Sequence, residues 1–243
     1  MIASATQFVE AEVAPRFHDK LLAGLTQLKL KRLLKRKNPY LFKAKAVVAA
    51  ADLVRQLLIA HLSSTDETIF GDFLEALAIH VCAESYGGHK STSEGIDLEF
   101  VRDSTRYIVS IKSGPNWANS QQLKRMKSNF AQAQRIAGRT RLVAVNGCCY
   151  GQEANSNKGE YLKLCGEEFW ELISGDEDFY QRIIDPLGSN AKLRTEEFAQ
   201  KFGQVENQFT GEFIAEFCNA SGAIDWDKLL RFNSGRVDSK KIA

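Results

Sequence analysis

Apolar positions recur in two rhythms along this chain, and the change of rhythm divides it. Residues 8–35 place Phe17, Leu21, Leu22, Leu25, Leu28, Leu30, Leu33 and Leu34 at roughly helical spacing with basic residues between them, which predicts a long amphipathic helix. Asn38-Pro39 should end it, because proline disfavours helical geometry in the residue before it. Ala44 to Leu62, rich in alanine and leucine, predicts a second helix. Ser63-Ser64-Thr65 supply a break, and Thr65 or Asp66 caps a third helix that runs to the Gly87-Gly88 stop.

The period then shifts towards two. GIDLEFV (95–101) and RYIVSIK (106–112), joined by Arg102-Asp103-Ser104-Thr105, carry a hairpin signature. SGPNWANS (113–120) reads as a loop whose Ser120 caps a helix to about Ala137. RLVAVNGCCYG (141–151) reads as a buried strand running into a loop, followed by a short strand, YLKLC. Helices are expected near 166–174, 177–185 and 194–219, with a frayed polar tail from Asn233. Helices, then helix–hairpin–helix–strand, then helices again describe an α/β sandwich with a small mixed sheet flanked by helices. No GxGxxG or GxxxxGK[ST] occurs, which disfavours dinucleotide and P-loop enzymes.

The chain has 243 residues, 44% of them hydrophobic and 26% charged, enough to bury a real core. No apolar run approaches the roughly 20 residues that span a bilayer. The N-terminus lacks the apolar core of a signal peptide. The five cysteines show no CxxC spacing, so neither a disulfide nor a zinc framework is expected, and a soluble protein of a reducing cytoplasm is the simplest reading. The net charge of +2 hides segregation: Arg16 to Lys45 holds ten Lys/Arg against one acid, Arg102 to Arg141 nine against one, and Gln152 to Asp227 sixteen acids against six bases. A surface facing a polyanion fits this distribution better than solvated helix faces alone.

In the first hairpin strand, alternation puts Asp97 and Glu99 on one face and Ile96, Leu98 and Phe100 on the other. In the second, Ser110 and Lys112 share a face, so pairing can bring Asp97 and Lys112 to one end of the sheet. A carboxylate that holds a divalent cation, beside a lysine that orients water and offsets charge, is suited to phosphodiester hydrolysis. A surface ion pair on a solvated hairpin is the bland alternative, but the particular sequence that follows, Ser-Gly-Pro-Asn-Trp-Ala-Asn-Ser, argues against it.

Gly95-Ile-Asp97, with a hairpin to Ile111-Lys112-SGPNWANS, resembles the active-site segment of PD-(D/E)xK nucleases. More narrowly it resembles a group of type II restriction endonucleases that includes an enzyme cutting RGGNCCY. NPYLFK (38–43), FGDFLE (70–75) and the long block 161–188 resemble that group too, so the likeness covers roughly residues 35–190. The resemblance implies a restriction-endonuclease-like core with additional N- and C-terminal helices. It also implies a homodimer that cuts both strands of a short double-stranded DNA site with Mg²⁺, for which Mn²⁺ is expected to substitute. A cognate DNA methyltransferase is expected in the same system.

Carried over, Asp97 matches the metal-binding acid and Lys112 the catalytic lysine. Ser110 stands where the second acid belongs, and a hydroxyl is a poor ligand for Mg²⁺. Glu75 on the preceding helix or Glu99 beside Asp97 would replace that acid, or the nuclease is weakened; Glu75 is favoured because FGDFLEAL would bury its face. Lys90 and Ser91 in the Gly87–Ser93 loop, and Asn116, Trp117 and Asn119 after the lysine, are candidates for DNA contact. So are Lys124, Arg125 and Lys127 on the next helix, and Asn146 and Lys158 around the loop after the third strand. The expected division is a basic helical region 1–65 for DNA wrapping or dimerisation, a nuclease core 66–165, and an acidic helical region 166–243 as scaffold or interface. A structure-specific repair nuclease, or a DNA-binding protein on a dead nuclease core, are the competing readings.

Overall fold

A computed structural model describes residues 2–137, 141–188 and 191–236, which form two compact units. The first comprises residues up to His18 and Glu67–Ala191; the second comprises Asp19–Asp66 and the segment from Lys192. The pattern along the chain suggested divisions at 65 and 165, whereas each unit is assembled from segments far apart in sequence.

The hairpin forms as its turn chemistry dictates. β1 (Leu98–Arg102) pairs antiparallel with β2 (Thr105–Lys112), and Asp103 and Ser104 both take positive φ, 49° and 59°, as a two-residue type I′ turn requires. β3 (Leu142–Cys148) lies parallel to β2, and β4 (Leu162–Cys165) parallel to β3, giving a mixed sheet in the order β1-β2-β3-β4.

Helix α6 (Ser120–Ala137) connects β2 to β3, as a parallel pairing demands. Asn119, not Ser120, caps it: Asn119 Oδ1 accepts the N–H groups of Gln121 and Gln122, and Gln122 Oε1 accepts the N–H of Asn119. Its Met126 and Phe130 cover one face of the sheet with Ile108, Ala144 and Ile96. The other face packs Leu98, Phe100, Val109 and Ile111 against α7 (Glu167–Ser174), α8 (Phe179–Arg182) and the later turns of α5 (Ala50–Tyr86). Ile96 therefore leaves the face expected for it. It precedes β1 in a turn closed by its N–H to Ser93 O, so strand alternation does not govern it.

Several helical readings change. Residues 8–35 are not one helix but α1 (Ile2–Val13), a π-helical turn (Ala14–His18), α2 (Asp19–Thr26) and α3 (Leu30–Leu34). Pro15 sits in the π turn, where it cannot donate a backbone hydrogen bond. The break at Ser63-Ser64-Thr65 does not occur, and α5 runs through it. Ser64 Oγ donates to Ala60 O and Thr65 Oγ1 to His61 O, so the hydroxyls are satisfied inside the helix.

Asn38 caps α4 (Pro39–Ala44) through the N–H of Tyr40. The helix expected at 177–185 is two short ones, α8 and α9 (Ile184–Leu187). The second unit's core unites Leu30, Leu33 and Leu57 with Phe209 and Phe213 of α10 (Ala191–Phe217) and Leu229 of α11 (Trp226–Ser234). Order thus extends past Asn233, and the end of the tail, 237–243, lies outside the described residues. No helix among the described residues is long and apolar enough to cross a membrane.

Candidate active site

Asp97 stands just before β1, opposite Ser110 by continuation of the strand register. Its N–H donates to Val109 O at 2.8 Å, and its Oδ2 accepts the backbone N–H of Ile111 at 2.7 Å. Ser110 Oγ is 3.5 Å from the same oxygen, and Lys112 Nζ is 3.6 Å from it. Lys112 also donates to Ile111 O at 2.7 Å and lies 5.2 Å from the centre of the Trp117 ring. The side chains of Lys112 and Asp97 are 27% and 22% exposed, so water reaches the pair without dissolving it.

Helix α5 comes against this end of β2 at Gly71, where an added Cβ would lie 2.4 Å from Ser113 Oγ. Glu75, one turn further along the same helical face, is half-buried and pairs with Lys90 at 3.2 Å. The fully buried thiol of Cys149 is raised by its burial first; the charges of Cys148 and Glu75 push it further up, and Lys112 acts against them. Glu75 and Lys112 therefore both lie within electrostatic reach of one buried atom.

Glu67, a further two turns back on that face, lines a cavity of about 870 Å³ together with Lys112, Asn116, Trp117, Gln122 and Tyr150. Its floor is tightly built. Gly114 has no room for a Cβ against the Tyr150 ring, and the N–H of Tyr150 donates to Ser113 O.

Across residues 3–195 the chain matches the family model described as type II restriction endonuclease EcoO109I. The chain belongs to this family. No curated protein matches it.

The remaining candidates of this restriction-endonuclease chain divide by their surroundings. Glu99 is buried and bonded to Ser91 Oγ and Arg106. Burial alone would raise its carboxyl, but those two hydrogen bonds and the Arg106 charge hold it below the usual range. Ser91 is thus tied to Glu99, while Lys90 is exposed beside Glu75.

Asn116 is exposed and Trp117 half-buried at the cavity; Asn119 is exposed but committed to its cap. On α6, Lys124 is exposed, Arg125 pairs with Glu94, and Lys127 pairs with Glu160 at 2.7 Å, which raises its ammonium above the ordinary value. Asn146 was expected where β3 leaves the sheet; it is inside the strand, 2% exposed, beside Ser110 in the register.

Lys158 and Lys163 both bond Glu153 at 3.0 Å. Those hydrogen bonds, from Lys163 first, hold the Glu153 carboxyl down to about 2. Glu67, Tyr150 and the Glu153–Lys163 pair were not expected from the sequence. The helical spacing 67, 71, 75 was a usable signal for the first, and nothing local marks the others.

Among the described residues no cluster of three or more His, Cys, Asp or Glu side chains forms a ready metal cage. Mg²⁺ does not need one, since it takes one or two carboxylates and keeps its waters and substrate phosphates. Asp97 and Glu75 are hard oxygen donors of that kind and both are partly open to water, Glu75 beside the exposed Lys90, whereas Glu99 is buried and occupied by Arg106 and Ser91.

Proposed function

We propose that this chain is an active, Mg²⁺-dependent type II restriction endonuclease that hydrolyses phosphodiester bonds in both strands of a short DNA site. The observation that carries this reading is Lys112 within 3.6 Å of Asp97 Oδ2, at the edge of an open cavity, in a chain of this family. Asp97 and Glu75 would hold the ion, with Glu75 in place of the acid that Ser110 displaces. Bound there, Mg²⁺ would polarise the phosphate oxygens and lower the pKa of a water.

The chain's own groups supply the rest. Lys112, anchored on Ile111 O, orients the attacking water and offsets the negative charge that builds on the phosphoryl oxygens. The water oxygen bonds to phosphorus and gives its proton to the surrounding solvent, while the P–O bond to the leaving sugar oxygen breaks and that oxygen takes a proton from a solvent water. Ser110 supports Asp97 rather than taking part. Lys90, Asn116 and Lys124 face phosphates, and Trp117 walls the cavity behind Lys112. Two related active sites for a symmetric duplex site require a homodimer. Mn²⁺ substitutes for Mg²⁺, and a cognate methyltransferase protects the host DNA in the cytoplasm.

Digestion of a fully sequenced phage DNA with Mg²⁺, with EDTA and Lys112→Ala controls, tests this reading. Discrete metal-dependent fragments are expected; a smear would indicate a structure-specific repair nuclease instead. The serine at 110 gives one observation to a second reading, a DNA-binding protein without cleavage. Intact DNA under Mg²⁺ and Mn²⁺, together with a tight gel shift, would establish that one.

A further inference from the structure

The second unit contains a cavity of about 350 Å³ that the cleavage reading does not use. Three segments enclose it: the end of α2 with Leu28, the α3 turn with Arg32, Arg36 and Lys37, and one face of α5 with His61 and Ser64. Arg32 and Arg36 are one helical turn apart and both exposed, and Lys37 Nζ is steadied by Ala60 O at 3.0 Å. No carboxylate lines the cavity, and none pairs with these three cations among the described residues. Neighbouring basic side chains are spent differently: Lys31 on Glu216, Arg55 on Glu206, and Lys35 and Lys43 against the rings of Phe232 and Trp226.

The His61 ring records this concentration of charge. Burial first, then Lys37, Arg36 and Arg32, lower its pKa, so all three cations act on one point. Three cations and an imidazole around an open hollow match the donor set that grips a phosphate. The exposed Lys29 outside the cavity extends the positive field along the surface, which benefits a chain of phosphates more than a single one.

We propose that Arg32, Arg36 and Lys37 form a second phosphate-binding site, separate from the nuclease cavity, that grips the backbone of duplex DNA. The proposal rests on the endonuclease reading. It adds that part of the affinity for DNA is sequence-independent and supplied by the second unit.

The test uses the full chain in EDTA, so that no cleavage intervenes, and a fluorescent duplex of about 40 base pairs titrated at several salt concentrations. The Arg32→Gln/Arg36→Gln variant should bind at least tenfold more weakly, and its log K–log salt slope should be shallower by about 0.9 for each phosphate it no longer neutralises. Arg36→Lys, which keeps the charge, should retain most of the parental slope, and cleavage at saturating DNA with Mg²⁺ should be unchanged in every variant.

A parent that binds DNA with affinity and slope equal to those of the double variant overturns the second site and leaves the endonuclease reading intact. Inorganic phosphate provides the other arm. If it shifts the His61 ring resonances while the double variant binds DNA normally, the cavity serves free phosphate and the DNA assignment fails. A parent that neither binds nor cuts duplex DNA overturns the endonuclease reading, and the second site with it.

Discussion

Asp97 and Ile111 are joined by a 2.7 Å hydrogen bond from the backbone N–H of Ile111 to Asp97 Oδ2. The carbonyl of the same Ile111 receives Lys112 Nζ, also at 2.7 Å. One peptide segment thus fixes both charged groups, holding acid and lysine without a mobile loop. Such fixed placement lets charge develop in a transition state without reorganisation of the surroundings.

Lys112→Ala should lower cleavage by about 10²- to 10³-fold, the usual loss when a group that stabilises transition-state charge is removed. Duplex affinity in a gel shift should be unchanged. Retained cleavage would remove Lys112 from the chemistry.

Glu75→Gln should depress metal-dependent cleavage far more than Ser110→Ala, and higher Mg²⁺ should partly rescue it. Initial rates across a Mg²⁺ series make the comparison. The reverse ranking would return the second acid's role to the strand and exclude the helix.

Gly147→Ala should destabilise the fold by about 1–3 kcal/mol, the usual cost of overpacking. An added Cβ would come within 2.3 Å of the buried Phe169 ring, which has no free space to yield. Urea unfolding with an unchanged midpoint would show that β3 and α7 are looser than this packing.

Glu153 carries a pH prediction. Its folded pKa of about 2 lies below the ordinary 4.5, so its contribution is fully present above 4.5 and is lost as pH falls from 4.5 towards 2. A side-chain ¹³C titration should place the midpoint near 2 in the parent and nearer the ordinary value in Lys163→Met. An ordinary midpoint in the parent would dissolve the Glu153–Lys163–Lys158 cluster.

Burial pushes the Cys82 and Cys148 thiols up to about 12, which leaves almost no thiolate at neutral pH. Ellman's reagent should therefore modify both only as fast as the protein unfolds. Rapid labelling of either would contradict the packing around it.

The hairpin was readable because its signals are local: alternation over a few residues and a turn whose two central residues accept positive φ. The break at Ser63–Thr65 was misread for a related reason. Hydroxyl residues favour helix ends when their side chains compete for the backbone, but inside α5 they bond back to carbonyls four residues earlier. Pro15 gave a usable warning in the first segment, since a missing N–H disturbs any helix that contains it.

Asp97, Ser110 and Lys112 follow from strand period and register, which neighbouring residues set through backbone torsions alone. The partners of the acids do not. Glu75 meets Lys90, Glu99 is consumed by Arg106 and Ser91, and Asn146 is buried beside Ser110 rather than offered on a loop. The basic run 16–45 is visible as composition, yet only folding separates Arg32, Arg36 and Lys37, gathered round a cavity, from the lysines that pair or stack elsewhere. Which charge is neutralised and which is left for a ligand depends on contacts between residues distant in sequence, and those arise only when the cores close.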